Sequence, residues 1–234
     1  MTTERVTRAL TEGVVIVVSI LLAFGLEASW AARLERQEEA ALLQSIRNDV
    51  VENRSLIAQH AQGTEAQIDL AQSILAVLAE GERGPASDSV VARIGDVFIS
   101  NSWDPINDTY LEARSSGRLA LIDDSELRLR LTRYQRRIDA IAELFTSIRT
   151  QYYGQLEPFL VAHTVYSDIA MGAWSYEVTR MRPPHETDFS ELALSRELWN
   201  LLTLRLELAV AHRSYLRMVD DRASEVLDRI PEAR

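Results

Sequence analysis

Residues 13–26 read Gly13-Val-Val-Ile-Val-Val-Ser-Ile-Leu-Leu-Ala-Phe-Gly-Leu26, an uncharged apolar run of 14 residues bounded by Glu12 and Glu27. A helix needs roughly 20 apolar residues to cross a bilayer, so a spanning helix must also include the residues on either side of the run. We therefore predict a transmembrane helix over 9–32, after a short cytoplasmic head over 1–8. Trp30 suits the interface between membrane and water. The predicted anchor side chains are Val14, Val15, Ile16, Val17, Val18, Ile20, Leu21, Leu22, Phe24, Leu26 and Trp30.

Two other interpretations of this run stay open. A cleaved signal peptide also has a basic start and a short apolar centre, but it ends in a small-x-small cleavage site. Ser29-Trp30-Ala31 is a poor example, because a bulky residue separates the small ones. A helix of a soluble core is the third interpretation, and it lacks the polar stripe that a surface helix carries. We favour the uncleaved anchor.

The sequence around the run indicates the orientation and self-association of the anchor less clearly than it indicates the anchor itself. Arg5 and Arg8 precede it and Arg33 and Arg36 follow it, so the positive-inside rule is tied. A short head is the easier part to retain in the cytoplasm, which predicts a periplasmic main domain. Within the run, Ser19/Ala23 and Gly25/Ser29 place small residues on consecutive turns, a spacing that lets two helices approach closely. Homo-oligomerisation is therefore an expectation.

Composition restricts the class of the remaining chain. The 234 residues include 9 Gly, 6 Pro and no Cys, and the net charge is −10. Few Gly and Pro favour a helical protein with few turns. The negative charge argues against a nucleic-acid partner, and the lack of cysteine excludes disulfides and thiolate metal sites. We expect no cofactor and no metal.

Apolar residues at helical spacing predict an all-α domain over 33–230. No Pro or Gly interrupts 27–62, so the anchor should continue into one helix, or into two joined near Gly63. The antiparallel bundle is the natural packing of such helices. Long helices are predicted at about 33–80, 124–157 and 190–229, and short ones at about 88–100 and 105–115.

Capping residues set the predicted helix ends. Asp104 and Pro105 suit the first positions of the helix at 105–115. Asp123-Asp-Ser-Glu126 reads as a capping box that opens the next helix, which Pro158 would kink or end. Asp188-Phe-Ser-Glu191 is a further cap. Between these helices we expect irregular structure over 161–187.

The chain resembles a family of uncharacterised bacterial single-anchor membrane proteins that carry a domain of unknown function. The likeness lies in the apolar run ending at Trp30, the Arg/Glu-rich helix over 31–54, and Trp103 with 110–117 and 121–127. It covers most of the first 135 residues. The resemblance implies an inner-membrane location and a helical domain, and it implies no activity.

Residue patterns for catalysis are missing from the sequence. His60, His163, His185 and His212 show no paired spacing, although a bundle could bring His60 near His212. Phosphate-binding loops and nucleophile motifs are also missing. One candidate ligand pocket combines aromatic residues with arginines able to hold a carboxylate, namely Trp103, Tyr110, Arg114 and Arg118.

These observations favour a non-enzymatic interaction or scaffold protein, held in the lipid bilayer and bound to a membrane or periplasmic protein. The alternative is a ligand sensor of the membrane-anchored bundle type. Because its head is only about a dozen residues long, such a sensor would act through a separate signalling partner. An enzyme ranks third.

Overall fold

The computed structural model describes residues 3–81, 84–98, 104–166, 169 and 185–231, without the side chains of 3–17, 85–87 and 98. All regular structure in these ranges is helical, which confirms the all-α prediction. The α-helices are α1 Thr3–Glu80, α2 Pro85–Val91, α3 Ile94–Phe98, α4 Asp108–Ser115, α5 Ser125–Gln151, α6 Glu157–His163, α7 Phe189–Leu192 and α8 Arg196–Leu227. A 3₁₀ turn, Arg118–Leu121, follows α4, and a π turn, Tyr152–Leu156, joins α5 to α6.

Helix α1 joins the predicted anchor to the bundle without a break. Its 78 residues pass straight through Gly63, so the sequence forms one helix here and not two. At 1.5 Å per residue the helix is about 117 Å long. Within the residues that the structure describes, no helix combines the length and the apolar character needed to cross a membrane. The transmembrane assignment of 9–32 thus remains a prediction.

Three long helices form the bundle, with α1 and α5 running in one direction and α8 in the other. Arg54 pairs with Asp220 at 2.7 Å, and Glu65 pairs with Arg213 at 3.0 Å. Residue numbers therefore rise along α1 as they fall along α8. The same holds for α5, because Arg130 bonds the Glu225 carbonyl near its start and Gln151 bonds the Leu201 carbonyl at its end.

The core divides into two apolar clusters along the bundle. The lower cluster lies on the anchor side of the domain and includes Ile46, Val50, Leu131, Ile138, Leu216 and Val219. The upper cluster packs the short helices against the far ends of α1 and α8, and includes Ile74, Val91, Ile94, Leu160, Leu198 and Leu202. Buried polar residues of α1 and α8 lie between the two clusters, and they form the site described below.

Several helix ends differ from the sequence prediction. Helix α5 starts with Asp124 as its cap, whose carboxylate accepts from the Glu126 and Leu127 amides at 3.0 and 3.1 Å. The predicted capping box is wrong, because Leu127 occupies the third helical position and Glu126 pairs with Arg130 instead. The long helix predicted from about residue 190 is divided into two helices, and each has its own N-terminal cap. Asp188 caps only α7, and the long helix α8 starts at Arg196 with Ser195 as its cap.

The two predicted short helices also change. The helix expected at 105–115 begins at Asp108, because both main-chain groups of Ile106 are bound by the Asn53 side chain and leave the helical pattern. The helix expected at 88–100 is divided into α2 and α3 by a turn that buries Val91 and Ile94 together.

Pro158 does not end the helical path. It lies in the first turn of α6, where no main-chain N–H partner is required. Most of the segment predicted to be irregular, 161–187, lies outside the described residues.

Candidate functional site: a buried polar layer between two apolar clusters

The residues predicted to form a ligand pocket do not share a cavity. Tyr110 is buried in the lower cluster and lines a cavity of about 10 Å³. Arg114 and Arg118 are exposed, and the Arg118 guanidinium lies 3.7 Å from the Glu112 carboxylate. Trp103 lies outside the described residues. The three described members therefore face in different directions.

The predicted anchor side chains are exposed wherever the structure describes them. Leu21, Leu22, Phe24 and Leu26 are 63 to 70% exposed, and Trp30 is 72% exposed. Val14, Val15, Ile16 and Val17 have side chains outside the description. The first buried residue of α1 is Leu42, so a segment of helix some two dozen residues long projects beyond the domain.

Buried and half-buried polar side chains meet where α1 and α8 cross the middle of the bundle. We call this group the polar layer, and it consists of His60, Thr64, Gln67, Arg205 and His212. His60, Thr64 and Gln67 are four and three residues apart, so they share one face of α1. Arg205 and His212, seven residues apart, share the facing side of α8. With Gly63 and with Phe145 and Ile148 of α5, they line a cavity of about 20 Å³.

Thr64 fixes the protonation pattern of the His212 ring. Its hydroxyl lies 2.8 Å from the His60 carbonyl and 3.0 Å from Nδ1 of His212. A carbonyl only accepts, so the single hydroxyl hydrogen goes to His60. The hydroxyl oxygen then accepts from Nδ1–H of His212. Neutral His212 therefore carries its hydrogen on Nδ1 and presents Nε2 as an acceptor.

The surroundings of His212 favour its neutral form. Burial, followed by the nearby His60 and Arg205 charges, lowers its pKa to about 4. The ring contacts Phe145 edge to face, with centroids 4.8 Å apart, and its centroid lies 6.2 Å from that of His60. Burial also lowers the pKa of His60.

Arg205 is a buried cation held by neutral oxygen atoms. It is 3% exposed. Its Nε donates to the Val97 carbonyl and its Nη2 donates to Oε1 of Gln67, both at 3.1 Å. Burial lowers its pKa to about 10, so it stays charged at neutral pH. A buried charge costs several kcal/mol unless it is paired, and none of these bonds brings a negative charge to Arg205.

Two atoms of the polar layer lack a hydrogen-bond partner among the described groups. They are Nη1 of Arg205 and Nε2 of His212, and both residues line the same small cavity. Most buried polar atoms in proteins are hydrogen-bonded, and the exceptions require an explanation. A buried donor and a buried acceptor without partners therefore belong to two residues that line one cavity about the size of a water molecule.

The chemistry of the layer is that of hydrogen bonding and proton binding. Among the residues described, no group of three or more His, Cys, Asp or Glu side chains could hold a metal ion.

The sequence indicated that His60 could lie near His212, but it assigned no role to Arg205 or Thr64. A signal was present, since Arg205 and His212 interrupt the apolar stripe of α8 at positions where Leu198, Leu201 and Leu208 define it.

A second concave surface lies where α1 leaves the domain. It has a volume of about 820 Å³ and runs between 32–39 of α1 and the turn over 116–123. Glu39 accepts a hydrogen bond from the Asp123 amide at 2.9 Å and closes one side. Arg36 and Arg118 line it together with four carboxylates, so negative groups outnumber positive ones in its lining.

Comparison with known proteins gave no match to a family profile, a curated protein or a solved structure.

Proposed function

We propose that this chain is a membrane-anchored helical interaction protein, in which the segment over 9–32 inserts into a lipid bilayer and the bundle binds a partner protein. The observation that supports the anchor is the exposure of Leu21, Leu22, Phe24 and Leu26 on a helix that extends beyond the domain. Soluble monomeric proteins rarely expose contiguous apolar patches larger than a few hundred Å². A bilayer would remove these side chains from water.

The arrangement of charge along α1 supports the same proposal. Arg33 is the first charged residue after Glu27, and the exposed helix carries Arg33, Glu35 and Arg36 before the first core residue, Leu42. An interfacial tryptophan followed by a charged helical stretch is typical of an anchor that leaves the membrane. With 14 residues between Glu12 and Glu27, the bilayer would thin locally or the two carboxylates would reach its interfaces.

We propose a non-enzymatic role, which is supported by the polar layer's suitability for hydrogen bonding. We also propose a bacterial inner-membrane location, as the resemblance suggests, with the bundle on the periplasmic side. The ligand-sensor alternative gains no specific observation, because Tyr110, Arg114 and Arg118 do not share a cavity.

Alkaline extraction of membranes tests the anchor. We expect the wild-type chain to stay in the membrane pellet and the double variant Leu21→Arg/Phe24→Arg to be released, because a charge near the bilayer centre costs about 3 kcal/mol. Leu34→Arg is the matched control, since Leu34 is 50% exposed but lies beyond Trp30. Release of the wild-type chain, or a mature N-terminus near residue 32, would overturn the proposal.

Partner and orientation need separate experiments. Affinity capture of the full chain from detergent-extracted membranes should recover one stoichiometric protein, and its absence after mild crosslinking would contradict the scaffold role.

Val51 is exposed on α1 and the chain has no cysteine. Val51→Cys in spheroplasts should react with an impermeant maleimide if the bundle is periplasmic, and only after lysis if it is not.

Self-association through the anchor is a further part of the proposal. A Cβ atom at Gly25 would meet no neighbouring side chain among the described residues within 4 Å, so we expect Gly25→Leu to leave the fold intact. If the small residues of the anchor pack against a second copy, Gly25→Leu should remove a dimer band that crosslinking gives for the wild-type chain. An unchanged pattern would rule out that interface.

A further inference from the structure

The small cavity in the polar layer combines features of a binding site. It is lined by a buried cation, Arg205, and by a buried imidazole, His212. Each of them has one buried polar atom without a described hydrogen-bond partner. Its volume of about 20 Å³ is just above the ~10–15 Å³ that one water molecule requires.

We propose that this cavity is a proton-coupled site for a single water-sized ligand, which binds water while His212 is neutral and chloride when His212 is protonated. The first half follows from hydrogen-bond complementarity. Nη1–H of Arg205 is a donor. Nε2 of neutral His212 is an acceptor, because the ring hydrogen lies on Nδ1 and is donated to the Thr64 hydroxyl. A water molecule matches both, because it accepts from one and donates to the other. Chloride would face the Nε2 lone pair and is disfavoured.

The second half follows from the change in charge. A proton on Nε2 makes both atoms donors and places a second positive charge beside Arg205. Two buried cations without an anion are strongly unfavourable. Chloride accepts from both donors and neutralises one of the charges. The proton that enters is taken from solvent and stays on Nε2, so one proton and one chloride bind together.

The other charged groups near the layer do not provide this compensation. On α1, His60 faces the layer and can only add positive charge, and Glu65 is exposed and already paired with Arg213 of α8. The α5 residues at the cavity, Phe145 and Ile148, do not titrate. Helix α3 contributes the neutral Val97 carbonyl. None of these described groups supplies a free negative charge to the layer, so we infer that the anion comes from solvent.

Thermal unfolding of the full chain in detergent micelles tests the coupling. Sodium chloride is compared with sodium gluconate at equal ionic strength, at about pH 4.5 and about pH 7.5. We expect chloride to raise the melting temperature only at the acid pH, since a ligand that binds the native state stabilises it. Because one proton accompanies each chloride, the apparent chloride affinity should fall about tenfold per pH unit above the pKa of His212.

Two variants and one direct measurement make the test decisive. His212→Gln should abolish the chloride effect, and His163→Gln, at an exposed position that does not line the cavity, should retain it. An equal chloride effect at both pH values, or one that survives in His212→Gln, would overturn the proposal. If the variants do not fold, ¹⁵N NMR of the wild-type histidines decides. Neutral His212 must carry its hydrogen on Nδ1, and a hydrogen on Nε2 at neutral pH contradicts the site.

Discussion

Asn53 of α1 binds the main chain of Ile106 through both ends of its carboxamide. Its Oδ1 accepts from the Ile106 amide at 2.8 Å, and its Nδ2 donates to the Ile106 carbonyl at 2.7 Å and to Oη of Tyr134 at 3.0 Å. Asn53 is fully buried. One side chain therefore fixes the connection before α4 onto the bundle.

Asn53→Ala should destabilise the protein by about 2–3 kcal/mol, because it leaves buried main-chain groups of Ile106 without partners. Urea unfolding measures this as a lower midpoint at constant slope. Asn48→Ala, at an exposed position of the same helix, is the control and should change little. An equal loss in both variants would mean that the Asn53 bonds contribute nothing specific.

Leu202 and Leu204 test the assignment of the upper cluster. Leu202 is fully buried and Leu204 is 38% exposed, although both belong to α8. Leu202→Ala should cost about 2–5 kcal/mol, through lost burial and the cavity that remains. Leu204→Ala should cost less than about 1 kcal/mol. A reversed order in chemical denaturation would show that α8 is rotated relative to the structure described here.

Gly95 and Gly154 test a close approach of two main-chain segments. A Cβ atom at Gly95 would lie 2.2 Å from the Ile169 carbonyl oxygen, whereas one at Gly154 meets nothing within 4 Å. Gly95→Ala should lower stability by about 1–3 kcal/mol or more, because main-chain atoms must shift. Gly154→Ala should be neutral or slightly stabilising. Equal melting temperatures for the two variants would contradict the contact.

His212 should make stability depend on pH. Its pKa is lowered from 6.5 to about 4 in the folded chain, so the unfolded chain binds the proton first. Stability then falls as the pH drops from about 6.5 to about 4, by up to about 3 kcal/mol, and is constant with respect to this group above that window.

Denaturant unfolding in gluconate buffer across this pH range measures the effect of His212. His212→Gln should remove most of the slope, and His163→Gln, at an exposed position, should preserve it. A wild-type chain whose stability is flat between pH 6.5 and pH 4 would show that His212 is not buried as described.

Local sequence patterns predicted the helices well, but they failed where a residue distant in sequence sets a helix end or forms a contact. The stripe of α1 predicted one helix or two joined near Gly63, and the structure forms one. Asp124 lies within the predicted capping segment of α5. The start of α4 was wrong because Asn53, 53 residues away, binds Ile106. The contact of Thr64 with His212 spans 148 residues, and only the register between α1 and α8 brings the two together.

The candidate site was accordingly harder to predict than the fold. A polar residue in an apolar stripe indicates a buried polar group, but it does not identify its partner. The predicted pocket relied on residues near in sequence. Tyr110 and Arg114 are four apart on α4, yet Tyr110 is buried, Arg114 is exposed, and they line different cavities. The polar layer is instead formed by helices that are remote in sequence.

Maleimide labelling of single cysteines tests the central claim, the insertion of the apolar part of α1 into a bilayer, most directly. The chain has no cysteine of its own, so Leu22→Cys and Val51→Cys can be compared without background. Both positions are exposed in the isolated chain, at 63% and 49%. In membranes opened to give access from both faces, we predict that the impermeant reagent labels Val51→Cys and leaves Leu22→Cys unlabelled until the bilayer is dissolved and the chain unfolded in SDS. Equal labelling of the two in intact membranes would contradict the account.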